Sequence, residues 1–133
     1  KQDIGDIEIV LIPKPFETGL FSSGIATVID EWKTIKGNLD NHCKYTQRIF
    51  KDVQVDLFFC EHENWGNTLA VRTGSADYSH KVLANGWTKA GYTSKDNYLY
   101  ANGSDEKIIL REEKDLFLLI GVDYVEPEFR NAI

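Results

Sequence analysis

Two segments with a period of two constrain the fold of this chain most. The run DIEIVL, residues 6–11, and the run VQVDLFF, residues 53–59, both alternate along the chain. Successive side chains of a β-strand point to opposite faces, so each run predicts a strand. In the first strand Asp6 and Glu8 share one face. In the second strand Asp56 points away from the apolar row.

Three carboxylates on two strands predict a metal site. Carboxylates that lie side by side and partly buried repel each other unless a cation sits between them. Oxygen ligands of this kind hold the two Mg²⁺ ions of two-metal phosphoryl transfer. For Asp6 and Glu8 alone, the solvated face of an edge strand is the simpler interpretation. If the two strands are neighbours in one sheet, the third carboxylate, that of Asp56, favours a metal site over a solvated edge strand.

The rest of the first half predicts one helix and a further strand. Apolar residues recur at helical spacing, so residues 20–36 predict a helix with Gly37 as its C-terminal cap. Residues 44–50 alternate weakly and predict a strand ahead of the one at 53–59.

The second half mixes helix and strand signals. Residues 72–86 predict a strand end, a tight turn and a helix that is capped by Ser75 and stopped by Gly86. Turn signals at Asp96-Asn97 and Asn102-Gly103 predict a small antiparallel sheet within residues 92–110. Residues 112–121 predict a last short helix that ends at its glycine. Together these elements indicate an α+β fold.

Composition limits the class of protein. Hydrophobic residues make up 42% and charged residues 27%, which is ordinary for a globular chain. No apolar run approaches the roughly 18 residues of a membrane span, and two cysteines give no disulfide framework. We therefore expect an intracellular, cytoplasmic protein with no membrane partner. We also expect it to be a monomer. The net charge of -6 argues against a general nucleic-acid coat, so any contact with a polyanion must be local or metal-assisted.

Four motifs, in order, resemble the DNA polymerase X family, whose best known member is DNA polymerase beta. They are GDIEIV, VQVDLFF, RTGS and EEKDLFLLIGVDYVEPEFRN. The resemblance implies a nucleotidyltransferase palm over residues 1–75, truncated at its N-terminus, and a thumb over residues 76–133. A phage or prophage source fits the resemblance best. The chain begins with Lys1 and contains no methionine, so we expect it to be a fragment or a processed form.

The resemblance also implies roles for individual residues. The carboxylates of Asp6, Glu8 and Asp56 would hold two Mg²⁺ or Mn²⁺ ions, and Asp56 would accept the proton of a primer 3′-hydroxyl. The turn at residues 73–75 would carry a cis peptide and support the incoming nucleotide. The implied nucleotide-binding residues are Gly5, Arg72, Thr73, Gly74, Ser75, Tyr78 and Ser79.

Basic side chains near these motifs predict DNA contacts. Lys44 and Arg48 fall on the weakly alternating strand, where they face either a phosphate backbone or solvent. His80 and Lys81 lie at the start of the predicted helix near the nucleotide turn, and the N-terminus of a helix attracts phosphate.

This chain departs from the family pattern at three places, and each affects which properties of the family we expect here. The second carboxylate is Glu8 where the family usually has Asp. Val71 and Arg72 replace two aromatic residues before the turn, so a cation is expected at a phosphate or ribose. The family's Gly-Ser and arginine segment, which binds the triphosphate ahead of the first strand, is absent. We therefore expect this chain alone to be a poor polymerase.

The predicted function is metal-dependent DNA nucleotidyl transfer. Deoxynucleotides from a deoxynucleoside triphosphate would be added to a primer 3′-hydroxyl on a DNA primer/template, in a setting such as gap-filling repair. Two alternatives stay open. One is nucleotidyl transfer to RNA or a small molecule, which uses the same palm, and the other is a catalytically silent module that binds nucleic acid or a protein.

Overall fold

The structure, a computed structural model, describes residues 6–13, 24–39 and 43–131. The chain divides into two compact units, Lys1–Cys60 and Glu61–Ile133. Residues 65–73, just after this boundary, form a helix that packs within the second unit. The palm and thumb bounds at residue 75 stay a prediction. Among the described residues, no helix is both long enough and apolar enough to span a bilayer.

The first unit is built on a mixed four-stranded sheet. Its elements are β1 (Asp6–Leu11), α1 (Gly24–Asp30), β2 (Lys33–Lys36), β3 (Tyr45–Phe50) and β4 (Val53–Phe59). The strands lie in the order β1-β4-β3-β2, with β1 parallel to β4 and the other pairs antiparallel. The strands predicted at 6–11 and 53–59 are confirmed, and they are neighbours as the metal-site prediction requires.

The core of the first unit lies on one face of β4. Val55, Leu57 and Phe59 are buried together with Ile29 of α1 and Leu39. The alternation that predicted an apolar row on this strand is therefore confirmed. The opposite face of β4 carries Asp56.

The helix predicted over residues 20–36 is wrong in its second half; its first residues lie outside the described part. The helix ends at Asp30, and β2 pairs antiparallel with β3. The guanidinium of Arg48 explains this, because it donates to the carbonyl oxygens of Trp32 at 3.2 Å and Gly37 at 3.5 Å. Gly37 has a φ of 84° and crosses close to the backbone of β3. It therefore ends a strand and caps no helix.

The second unit packs helices around a small sheet. Its elements are α2 (Trp65–Thr73), α3 (Ala76–Tyr78), a π-helical segment (Ser79–Ala84), α4 (Asn85–Lys89), β5 (Tyr92–Lys95), β6 (Tyr98–Ala101), β7 (Lys107–Ile108) and α5 (Glu113–Ile120). The sheet order is β5-β6-β7 and all pairs are antiparallel. Asp96 and Asn97 both have positive φ, 54° and 68°, which confirms the predicted two-residue turn. The last helix is confirmed, with Gly121 in the left-handed conformation at its end.

Two predictions for residues 72–86 are wrong and one is confirmed. Arg72 and Thr73 end a helix and not a strand. Ser75 does cap the next helix, since its Oγ accepts from the Tyr78 N–H at 3.1 Å. Gly86 does not stop that helix, which continues to Lys89. A Cβ on Gly86 would lie 2.9 Å from Cδ1 of Ile120, so this glycine permits close packing on α5.

Candidate active site on two parallel strands

The parallel pairing of β1 and β4 brings two of the predicted carboxylates together. Glu8 and Asp56 are direct Cα partners, and Asp6 pairs with Gln54. Residues in register on neighbouring strands project to the same face of a sheet. For Asp6 only the backbone is described, and Gly5 lies outside the described residues.

Neutral donors surround Asp56, which is 6% exposed. The hydroxyl of Tyr45 and the amide Nε2 of Gln47 each donate to its Oδ1 at 2.9 Å. Gln47 Nε2 also lies 3.1 Å from the Tyr45 hydroxyl. The other oxygen, Oδ2, has a longer contact of 3.5 Å with Nε2 of Gln54. The carboxylate is thus oriented by donors that do not neutralise its charge.

The charges of Asp56 and Glu8 both act on the phenol of Tyr45. Burial raises the pKa of the Tyr45 phenol above 10.0, and the hydrogen bond and charge of Asp56 raise it further. The amide of Gln47 acts in the opposite direction, and the charge of Glu8 adds to the increase. The phenol therefore stays protonated near neutral pH and can donate to Asp56 throughout that range.

The donor set fits a hard divalent cation. Carboxylate oxygens are the ligands that Mg²⁺ and Mn²⁺ prefer, and a cation would compensate the buried charge that the neutral donors leave on Asp56. Among the described side chains, no three of His, Cys, Asp or Glu come together at metal-binding distance. The side chain of Asp6, the third predicted ligand, is not part of that described set.

The turn at residues 73–75 is held by the C-terminal segment of the chain. The Ser75 N–H donates to the carbonyl oxygen of Arg130 at 3.0 Å. A Cβ on Gly74 would lie 2.7 Å from Cβ of Arg130, so only glycine fits here without movement. The resemblance implied a cis peptide in this turn, but the described residues contain only trans peptides. That expectation is therefore wrong for this chain.

Arg130 was not singled out as a site residue from the sequence, although it lies in the motif EPEFRN. Its side chain is 1% exposed and forms an ion pair with Glu113. Its Nε donates to the Val125 carbonyl at 2.7 Å, and its guanidinium stacks 5.1 Å from the ring centre of Phe117. Arg130 therefore fixes the C-terminal segment against α5 and against the turn that precedes α3.

Two predicted nucleotide-binding side chains are buried. Tyr78 is 4% exposed and belongs to the core of the second unit. Ser79 is also buried, and its hydroxyl donates to the Val71 carbonyl at 2.6 Å. Both side chains serve packing and helix contacts, so this arrangement argues against direct nucleotide contact. Arg72 and Thr73, in contrast, are exposed at the end of α2.

The predicted DNA-binding residues also include both buried and exposed side chains. Arg48 is 2% exposed and its guanidinium donates to Thr46 Oγ1 and to backbone carbonyls, which argues against a DNA contact. Lys44, His80 and Lys81 are exposed. Lys81 lines an open cleft of about 450 Å³ in the second unit, beside α4 and the end of α5.

A known family model matches most of the second unit. Residues 68–131 match the family model for the DNA polymerase beta thumb. Two curated proteins match over a similar length, the DNA nucleotidylexotransferases of Bos taurus and Ambystoma mexicanum. They are 27% identical to this chain over 85 and 86 residues, which is 64% and 65% of the chain. The chain spans 17% of the length of each of these relatives.

Comparison with solved structures extends the likeness to nearly the whole chain. The crystal structure of Leishmania infantum polymerase beta, a ternary P/T complex, has a similar fold with a TM-score of 0.67 and 16% identity. The match covers 97% of this chain and 62% of that chain. At this identity the likeness concerns the fold.

Proposed function

Because this chain belongs to the DNA polymerase X family, we propose that it is a metal-dependent nucleotidyltransferase that adds deoxynucleotides to a primer 3′-hydroxyl on DNA. The observation that carries the proposal is the register of Glu8 opposite Asp56 on parallel strands. These strands would form the catalytic sheet of a palm. The thumb match over residues 68–131 supports the same assignment from the other unit.

Asp6, Glu8 and Asp56 would hold two Mg²⁺ or Mn²⁺ ions. When bound, the two cations would supply positive charge where negative charge develops on the transferred phosphoryl group. Asp56 would also accept the proton of the primer hydroxyl. Its Oδ1 already accepts two hydrogen bonds at 2.9 Å, so Oδ2 is the oxygen with capacity for that proton.

Residues of the second unit would hold the nucleotide, and basic side chains would contact the DNA backbone. For the nucleotide we propose Arg72 and the turn Thr73, Gly74 and Ser75. For the DNA backbone we propose Lys44, His80 and Lys81. Cationic side chains bind phosphate with a strong dependence on salt, and they position a strand without reading its sequence.

Metal binding tests the first step of the proposal. In a calorimetric titration with Mn²⁺, the wild-type chain should bind and an Asp6→Asn/Asp56→Asn double variant should bind much more weakly, because two of three charged ligands are neutral. Equal binding by the two proteins would remove the basis of the two-metal assignment.

Primer extension tests the chemistry. The chain spans 17% of the length of its curated relatives, so the assay should use the longest form that its gene encodes. Asp56→Ala should lower extension by roughly 10²-fold or more, as loss of a general base does. DNA affinity should stay the same or rise slightly, because a negative charge near a polyanion is lost. Full extension by Asp56→Ala would favour a silent binding module instead.

A further inference from the structure

We infer that Tyr45 and Gln47 are positioning residues for Asp56, and that they assign different tasks to its two carboxylate oxygens. Oδ1 is held by the protein, while Oδ2 is left for the cation and the primer hydroxyl. This assignment rests on the proposed function, and it concerns residues that do not themselves touch metal or substrate.

The hydrogen bonds to the carboxylate are unequal. Oδ1 accepts from both the Tyr45 hydroxyl and the Gln47 amide at 2.9 Å, an ordinary distance for a hydrogen bond. Oδ2 has its contact with Gln54 Nε2 at 3.5 Å, at the outer limit of such a bond. Rotation of the Asp56 side chain would break the two short bonds together, so the orientation of Oδ2 is fixed through Oδ1.

Both donors come from a rigid element. Tyr45 and Gln47 lie on β3, which is paired along its length with β4, and Gln47 is the Cα partner of Asp56. The ring of Tyr45 packs on that of Phe58 with 4.8 Å between the ring centres. Gln47 Nε2 lies 3.1 Å from the Tyr45 hydroxyl, which links the two donors. Side chains on paired strands hold a site more accurately than side chains on loops.

The neutrality of these donors distinguishes positioning from simple charge pairing. A lysine or arginine at either position would also orient Asp56, but it would cancel the charge that a divalent cation needs. Tyr45 and Gln47 donate without adding charge. The arrangement therefore orients the carboxylate of Asp56 without placing a positive side chain against it.

The test compares Mn²⁺ affinity in matched variants of this chain. Tyr45→Phe removes only the hydroxyl and keeps the ring on Phe58, and Gln47→Met removes the amide at similar length. Each should weaken Mn²⁺ binding in a calorimetric titration by roughly 10-fold or more, the usual effect of losing a group that orients a metal ligand. Tyr98→Phe is the matched control, because it removes another phenol that donates to a carboxylate, that of Glu61 in the second unit. The control should leave Mn²⁺ affinity unchanged.

A second measurement separates positioning from a structural role. Melting temperature is recorded for every variant without metal, and a purely structural role would change melting while leaving Mn²⁺ affinity as in the wild type. In primer extension by the longest natural form, Tyr45→Phe should lower kcat with little change in the KM for the nucleotide.

The outcomes for the proposed function and for this inference can be told apart. If Asp56→Asn binds Mn²⁺ as well as the wild type, the proposed site fails before the positioning question arises. If Asp56→Asn loses Mn²⁺ while Tyr45→Phe and Gln47→Met bind it normally, the positioning role is overturned. Tighter binding by Tyr45→Phe would overturn it as well, because the hydroxyl would then compete with the cation for Oδ1.

Discussion

Gly66→Ala should destabilise the second unit, although it adds a better helix former. Gly66 is the second residue of α2, and replacing glycine with alanine in a helix ordinarily adds about 1 kcal/mol of stability. An ideal Cβ on Gly66, however, would lie 2.2 Å from the carbonyl oxygen of Glu112 and 2.8 Å from that of Leu110. Both are backbone atoms, so they cannot rotate away as a side chain can.

The steric cost should exceed the propensity gain. Ordinary contacts of a Cβ begin at 3.4 Å, so the backbone near Glu112 must shift by about 1 Å in a close-packed region. Overpacking of this kind costs about 1–3 kcal/mol. The shift also strains the bonds from Gly66 N–H to Leu110 and from Leu110 N–H to Glu63, both 2.8 Å, each worth about 1 kcal/mol. We expect a net loss of about 2 kcal/mol, or roughly 10 °C in Tm for a unit of this size.

Thermal unfolding followed by tryptophan fluorescence measures this loss. A Trp32→Phe background removes the tryptophan of the first unit, so that the signal reports the second unit. Gly86→Ala is the control, because its Cβ would meet only the flexible end of Ile120 at 2.9 Å. A rotamer change there costs about 1 kcal/mol and nearly cancels the helix gain. If Gly66→Ala is as stable as the wild type, the contact with the Glu112 backbone does not decide the packing of α2.

Two further predictions concern charge. Lys81→Ala should weaken DNA binding and reduce the dependence of that binding on salt, and it should affect extension less at saturating substrate. A filter-binding series across salt concentrations measures this dependence. An unchanged salt slope would contradict the prediction. Burial, followed by the hydrogen bond to Glu61, raises the pKa of Tyr98 above 10.0. The unfolded chain therefore loses this proton first, so the stability from Tyr98 is present below pH 10 and is lost as the pH rises further. Between pH 9 and pH 11, denaturant unfolding should show that the free energy of unfolding falls less for Tyr98→Phe than for the wild type. Equal decreases in the two proteins would refute the stabilising role of the protonated Tyr98.

Local signals predicted the elements that depend on local geometry. The strands at 6–11 and 53–59 follow from a period of two, and the cap at Ser75 and the end at Gly121 follow from side-chain and backbone preferences of single residues. These features need no knowledge of distant contacts.

The errors come from contacts that are remote in the sequence. The segment 33–36 is a strand because it pairs with β3 and because Arg48 binds carbonyl oxygens on either side of it. Gly86 looks like a helix stop, but it serves a contact with Ile120, which lies in a different helix. In both cases tertiary packing overrides a local preference.

The charged residues of the candidate site were singled out from the sequence, but their neutral hydrogen-bond partners were not. The chemistry of the carboxylates singled out Glu8 and Asp56, which the structure places in register. Tyr45 and Gln47 were missed because only charged residues of 44–50 were considered. The alternation of that strand puts these two on one face and Arg48 on the other. Strand parity would have found both donors and would have placed Arg48 toward the core.

The π-helical segment Ser79–Ala84 has a consequence for how length can vary in this chain. Its hydrogen bonding includes the Asn85 N–H donating to the His80 carbonyl, five residues back, so this turn contains one residue more than an α-helical turn. Deleting one residue from an α-helix rotates everything after it by about 100°. A deletion within Ser79–Ala84 would instead convert the turn to ordinary α-helix and keep Gly86 facing Ile120. At this position in the helix, a natural deletion of one residue would leave the packing of the residues that follow unchanged.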